Sequence, residues 1–187
     1  MKAVAFTQYL PISNMNSFLD VEIDKPKATG HDILVNVKAI AVNPVDTKVR
    51  APKDTIEQTP RVIGYDASGI VEAVGPKVTM FKLGDAVYYA GDITRPGTNQ
   101  EFHLVDERIV GHKPKSLSHA ESAALPLTTI TAYIVIFYFG VLNIYRKVIA
   151  AFRILSLSMS IIYTPIPQYC KDSDVKYFFH FLMSLNG

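Results

Sequence analysis

Two short stretches gather the polar side chains able to do chemistry: Asn43-Pro44-Val45-Asp46, and Tyr65-Asp66 beside Gly64. Asn43 carries an amide NH2 and Tyr65 a phenol, donor types that stabilise negative charge developing on an oxygen. Asp46 falls in the first turn of a segment opened by Pro44, where a carboxylate favours the helix dipole, so a capping role is its better reading. The others have plainer alternatives too: Asn43 before proline suits a turn, and Tyr65 suits half-buried packing. Other chemistries find less support. Ser116, Ser118 and Thr128 have no paired base in the sequence, so a nucleophilic mechanism is not indicated. The five histidines (His31, His103, His112, His119 and His180) have no i,i+4 spacing and read as surface or ordinary polar residues. Cys170 is the single cysteine, so neither an internal disulfide nor a cysteine-rich zinc cluster can form.

Short strands must position these side chains. Gly64, Gly69 and Gly75 punctuate a run of β-branched and small apolar residues from Arg61 to Gly75. Glycine inside a strand pattern marks a bulge, a bend or a close backbone approach, so a bent strand turning a barrel corner is expected there. Lys2–Thr7 and Phe18–Asp24 read as a first strand pair. Asp32–Val42 is the clearest strand, with Ile33, Val35, Val37, Ala39 and Ala41 on one face and Asn36 and Lys38 on the other. It stops at Asn43-Pro44, because proline lacks the N–H and restricts its predecessor. Pro44 to Arg50 is too short for periodicity to separate helix from turn. Gly84–Ala90, Glu101–Val105 and Arg108–Val110 follow as short strands between turns, which points to a small, strongly bent barrel. Ser118-His119-Ala120-Glu121 reads as a capping box opening a short helix that ends near Pro126.

A chain of 187 residues allows one domain with a real core, or one domain plus an appendage. Its net charge of +2 is spread without a basic stripe, so nucleic acid is not expected as a partner. The N-terminal apolar run is too short for a signal peptide, and the single cysteine suits a reducing compartment, so a cytoplasmic location is expected. Composition breaks near Tyr133. Eight of the 10 glycines lie at or before Gly111, and charge thins from Ile134 to Tyr163. Ile130 to Tyr145 holds sixteen uncharged residues, and Arg146-Lys147 leads into a second apolar stretch, Val148 to Tyr163, interrupted by Arg153. Both are borderline against the roughly 20 residues of a spanning helix. Residues 1–133 and 134–187 therefore read as two different objects.

Four ordered segments carry a resemblance: Asn43-Pro44-Val45-Asp46-Thr47-Lys48, Gly64-Tyr65-Asp66-Ala67-Ser68-Gly69, Gly84-Asp85-Ala86-Val87-Tyr88, and Ala123-Ala124-Leu125-Pro126 through Tyr133. Together they resemble the medium-chain dehydrogenase/reductase superfamily, in its quinone-oxidoreductase-like branch often labelled zinc-type alcohol dehydrogenase-like. The resemblance covers residues 1–133 and implies a mainly β, GroES-like, partly open barrel with short helices. A Rossmann domain binding NADH or NADPH follows in that family, and the substrates it implies are quinones, enones or related carbonyl compounds. It also implies that Asn43 and Tyr65 are catalytic, that Asn43 and Thr131 contact the nicotinamide, and that Asp46 and Asp66 line the substrate pocket. It leaves open the substrate, the choice between NADH and NADPH, and whether a family-type homodimer forms.

Two departures from the family pattern matter. Zinc-dependent relatives place a cysteine where Asn43 stands and a His-Glu pair where Tyr65-Asp66 stands. Catalytic zinc takes about three protein ligands, typically imidazole, thiolate or carboxylate, and here only Asp66 is of that kind, so no zinc is expected. The second departure concerns the cofactor. A dinucleotide domain opens with a strand, a glycine-rich turn and a helix, yet no G-x-G occurs in the chain. The resemblance ends near Tyr133, so the Rossmann domain is expected to be missing, no cofactor to be bound by this chain, and the fragment to be inactive alone. Residues 134–187 are read as an out-of-frame or otherwise aberrant apolar tail. The rival is a genuine tail tethering a non-enzymatic binding module to a membrane or partner. Either would expose β-prone apolar segments and lower solubility.

Overall fold

The computed structural model describes the backbone of residues 1–137 and the side chains through residue 134. Everything expected of the tail beyond Phe137 lies outside the described residues. Among the described residues, eight strands form two antiparallel sheets. The smaller has the order β2-β1-β4, built from β1 (Lys2–Gln8), β2 (Leu19–Glu22) and β4 (Ile56–Val62). The larger has the order β7-β3-β5-β6-β8, built from β3 (Asp32–Ala41), β5 (Asp66–Val74), β6 (Ala86–Ala90), β7 (Phe102–Asp106) and β8 (Val110–His112). Three short helices complete the described chain: α1 (Pro44–Arg50), α2 (His119–Ala123) and α3 (Pro126–Phe137). The fold is mainly β with short helices, and its sheets do not close into one barrel. Among the described residues no helix is long and apolar enough to cross a membrane.

Side-chain alternation explains where the core sits. Ile33, Val35 and Val37 of β3 are buried together with Ala67 and Val71 of β5, Val87 and Tyr89 of β6, and Val105 of β7. On the other side of β3, Lys38 is exposed and Asn36 half-buried. A second apolar group, Phe6, Tyr9 and Ile63 with Phe18 and Val49 against it, lies where the smaller sheet meets α1.

The glycine stretch works as both a bend and a close approach. Gly64 has φ +100° at the crossing from β4 to β5, and a Cβ there would lie 2.4 Å from Asn99 Oδ1. Gly69 faces the β3 backbone so closely that a Cβ would meet the Asn36 carbonyl oxygen at 2.3 Å, and the β3–β5 register shifts beside it, between Val37 and Ala39. The segment Gly97–Glu101 then seals the seam between the sheets: Thr98 N–H donates to Gly64 O at 2.8 Å, Val4 N–H to Asn99 O at 2.9 Å, and Val37 N–H to Glu101 O at 2.9 Å.

One local expectation is corrected. Arg108 and Ile109 belong to a 3-10 turn, Glu107–Ile109, and the strand begins at Val110. The turn forms because the Asp106 carboxylate accepts the Arg108 N–H at 3.0 Å, an alternative to the sheet ladder. Strand β4 starts at Ile56 and tolerates Pro60 because it is the edge of its sheet. Pro126 both follows α2 and opens α3, a helix that runs across residue 133. The Ser118 capping box is present: Ser118 Oγ accepts Glu121 N–H at 3.2 Å, and Glu121 Oε2 accepts Ser118 N–H at 2.8 Å.

Candidate active site

Asn43 sits at the junction of β3 and α1. Its backbone is extended (φ −125°, ψ 161°), as an N-cap residue before Pro44 requires. In place of capping with its own side chain, Asn43 donates its backbone N–H to Asp46 Oδ2 at 2.7 Å and its amide Nδ2–H to Asp66 Oδ2 at 2.9 Å. Asp66 is the first residue of β5, paired with Ala41 of β3 on one side and Ala90 of β6 on the other. Its second oxygen, Oδ1, accepts the backbone N–H of Leu127 in the first turn of α3, at 3.0 Å. Three strands and two helix starts thus meet at Asp66. Asn43, Asp46 and Asp66 are 3%, 1% and 0% exposed.

Burying two carboxylates around one amide has an electrostatic consequence. Burial pushes the Asp46 carboxyl up to about 7, against the pull of backbone N–H groups, chiefly that of Asn43. Burial likewise raises Asp66 to about 7, opposed by the bonds from Asn43 and Leu127 and helped by the charge of Asp46. Asp46 Oδ1 is buried with no hydrogen-bond partner. One negative charge suits this site better than two.

Tyr65 is buried, at 4% exposed, and is not hydrogen-bonded to the Asn43–Asp66 pair. Burial raises its phenol above the ordinary range; the charge of Asp46 adds to this and Arg61 opposes it. It thereby feels both the buried carboxylate of Asp46 and a second polar group, in which Tyr9 joins Glu57 and Arg61 Nη1 donates to Tyr9 Oη at 2.8 Å. Thr131 lies one turn beyond Leu127 on α3, exposed, and its hydroxyl donates to the Leu127 carbonyl at 2.7 Å. The structure therefore brings Asn43, Asp46 and Asp66 together, leaves Tyr65 outside their hydrogen bonds, and sets Thr131 on the surface of α3.

Two participants escape a reading of the sequence. The Leu127 N–H is a free donor wherever a helix opens at Pro126, but its acceptor lies 61 residues away. Arg50 is 1% exposed; it donates to Leu10 O at 2.6 Å and to Ser17 O at 3.2 Å, with its guanidinium 5.0 Å from the Phe18 ring. Spaced four residues after Asp46, Arg50 suggests an ion pair on α1; the guanidinium turns instead to the loop before β2. Its only signal is a basic residue in the last turn of a helix.

The donor set does not fit zinc. Asn43 presents an amide, both Asp66 oxygens already accept N–H groups, and among the described residues no group of three or more His, Cys, Asp or Glu is placed to hold a metal ion.

Comparison with known proteins agrees with this architecture. The family described as the alcohol dehydrogenase GroES-like domain matches residues 29–131. A "zinc-type alcohol dehydrogenase-like protein" from Staphylococcus aureus (strain Mu50) is 49% identical over 133 residues, which is 71% of this chain and 39% of that protein. Among solved structures, a putative zinc-dependent alcohol dehydrogenase from Rhizobium etli superposes with a TM-score of 0.70 at 61% identity, covering 73% of this chain and 40% of that one. Escherichia coli quinone oxidoreductase, solved with NADPH, superposes with a TM-score of 0.64 at 26% identity, covering 73% and 40%. The chain thus spans about two fifths of the length of the curated relatives it matches. With Asn43, Asp66 and α3 all inside or beside the matched span, the chain belongs to the alcohol dehydrogenase GroES-like domain family of the medium-chain dehydrogenase/reductase superfamily.

Proposed function

We propose that residues 1–133 form the substrate-side catalytic domain of a zinc-independent, NAD(P)H-dependent oxidoreductase acting on quinones, enones or related carbonyl compounds. The observation that carries this is the Asn43 amide, held by Asp66 where relatives that use zinc would need a ligand. A bound nicotinamide supplies the hydride. The chain's own residues then have one task, which is to stabilise the negative charge that the hydride's electron pair leaves on the substrate oxygen before a proton arrives from water. One Nδ2 hydrogen of Asn43 is taken by Asp66, and the other is left to donate to that oxygen. Buried Tyr65 supports the pocket wall beside Asp46. The name of the E. coli quinone oxidoreductase, solved with NADPH, supports the substrate and cofactor classes. Cofactor contacts at Asn43 and Thr131 belong to the same proposal, with nucleotide binding assigned to a partner half of the enzyme.

The test is a chimera joining residues 1–131 to the cofactor-binding half of the Rhizobium etli relative. It is expected to oxidise NADPH in the presence of 1,4-benzoquinone, unaffected by a chelator, and Asn43→Ala is expected to lower kcat about 100-fold, the worth of one oxyanion donor. Chelator-sensitive alcohol oxidation, or an Asn43→Ala chimera as active as its parent, would overturn the proposal.

A further inference from the structure

We infer that Asp66 is a positioning residue: accepting Asn43 Nδ2–H on one oxygen and Leu127 N–H on the other, it fixes which edge of the Asn43 amide faces the substrate and ties that edge to the start of α3. The inference rests on the proposed role of Asn43 and goes beyond lining a pocket, because Asp66 acts through another residue.

The two ends of an asparagine amide are nearly the same size, so shape alone sets its orientation weakly, and the hydrogen-bond network decides. A carboxylate only accepts. With Asp66 ionised, the edge turned to it has to be the NH2 edge, which fixes the direction of the second N–H. Asp66 is fully buried and starts a central strand, so its own position is set by the sheet: Ala41 and Ala90 flank it, and Thr98 Oγ1 approaches its carbonyl oxygen at 3.5 Å. Its remaining oxygen is spent on α3. A displacement of that helix start would therefore pull on the same carboxylate that orients the amide. The groups facing Asp66 are Asn43 and Asp46 from the start of α1, the Leu127 N–H from α3 and the Thr98 hydroxyl; Asp46 is the charged one among them. Protonating Asp66 gives it an O–H and weakens its acceptor oxygens, which loosens both bonds together. The upward pull of burial on both carboxyls sets this near neutral pH.

A purely structural role for Asp66 predicts different behaviour, and two measurements separate the two. In the 15N-labelled full chain, the Asn43 side-chain NH2 pair and the Leu127 amide are expected to shift with one shared midpoint as pH is raised from 5 to 9. Asp46→Asn should move that midpoint down for both signals. Separate midpoints, or an Asn43 pair that does not titrate, would overturn the inference, and this arm needs neither activity nor a folded Asp66 variant. In the chimera, Asp66→Asn keeps an oxygen for Leu127 but offers an NH2 to Asn43, which must then turn its oxygen inward. The expected result is a fall in kcat of the same order as Asn43→Ala, with KM for NADPH unchanged. Adding Asn43→Ala to Asp66→Asn should cost no further activity, since the two act as one unit. Independent, multiplying losses would overturn it. Should Asn43→Ala alone leave kcat intact, the proposed function fails while the titration still reads the positioning.

Discussion

Asp46 holds one oxygen on the Asn43 N–H and leaves the other buried without a donor, and its burial sets how stability follows pH. Its carboxyl and that of Asp66 are raised by burial from 3.8 to about 7 in the folded chain. A folded state that binds the proton more tightly than the unfolded one is favoured in acid, so this contribution is complete below about pH 4 and is lost as pH rises through about 7. A tenfold difference in proton affinity between the two states is worth about 1.4 kcal/mol, so the pair should cost the fold on the order of a few kcal/mol between pH 5 and 8. Glu107 works the other way, its carboxyl lowered by His31 and by the Met80 and Thr79 N–H groups, but its window lies in stronger acid. Asp46→Asn keeps an acceptor for Asn43 and removes the charge. Urea unfolding of this variant should show a flatter dependence on pH and greater stability than the parent at pH 8; an equally steep profile would mean the charge lies elsewhere. Much of this corner was legible in the sequence. Asn-Pro followed by an aspartate announces a helix start, and the capping role read for Asp46 is the bond the structure contains. The Asn43–Asp66 bond was not, because it joins two strands 23 residues apart and only their register brings them together.

At the scale of elements, β3 and β5 set the site, since Asn43 follows one and Asp66 begins the other. Their closeness depends on Gly69. A methyl group there would sit 2.3 Å from the Asn36 carbonyl oxygen and 2.6 Å from Val35 Cγ1, and a backbone oxygen inside a ladder cannot step aside. Gly69→Ala should therefore destabilise the chain by about 3 kcal/mol or more, read as a lower urea midpoint, and should shift the Asn43 side-chain resonance by moving β3 away from β5. A loss within about 0.5 kcal/mol, the range of a neutral surface change, would show that the strands had room. A second element-scale device is the 3-10 turn at Glu107. Its buried carboxylate accepts the Thr79 and Met80 N–H groups at 2.9 and 2.8 Å and meets His31 Nδ1 at 2.9 Å, pinning the loop before β6. Glu107→Ala removes the shared acceptor of these two N–H groups and should lower the urea midpoint, with faster amide exchange at Thr79 and Met80. Exchange unchanged at both would remove the pin. Alternation in β3 and the glycines of β5 made the sheet readable in advance. The turn at Glu107 was not, because Arg108-Ile109-Val110 has a strand's composition and the Asp106 cap overrides it.

At the scale of the whole molecule, the proposed function divides labour between this domain and a nucleotide-binding half. Both described sheets are antiparallel, and the elements that approach the site offer an amide, carboxylates and a phenol. None of these is the glycine-rich strand-to-helix turn that lets backbone N–H groups surround a pyrophosphate. The chain also lacks any G-x-G across its 187 residues. The proposed division is drawn from the sequence, while the surface on which the halves would meet is not encoded in any local pattern. If substrate chemistry resides in residues 1–133 and nucleotide affinity elsewhere, the chain titrated with NADPH by fluorescence should show a Kd weaker than about 1 mM, a binding free energy of no more than about 4 kcal/mol. The chimera used to test the function should bind NADPH in the micromolar range, because its affinity comes from the part added. Micromolar binding by this chain alone would place a nucleotide site within its own 187 residues, and the division would have to be withdrawn. Weak binding by the chain together with tight binding by the chimera would leave Asn43, oriented by Asp66, to act on a substrate whose reductant is held by the other half.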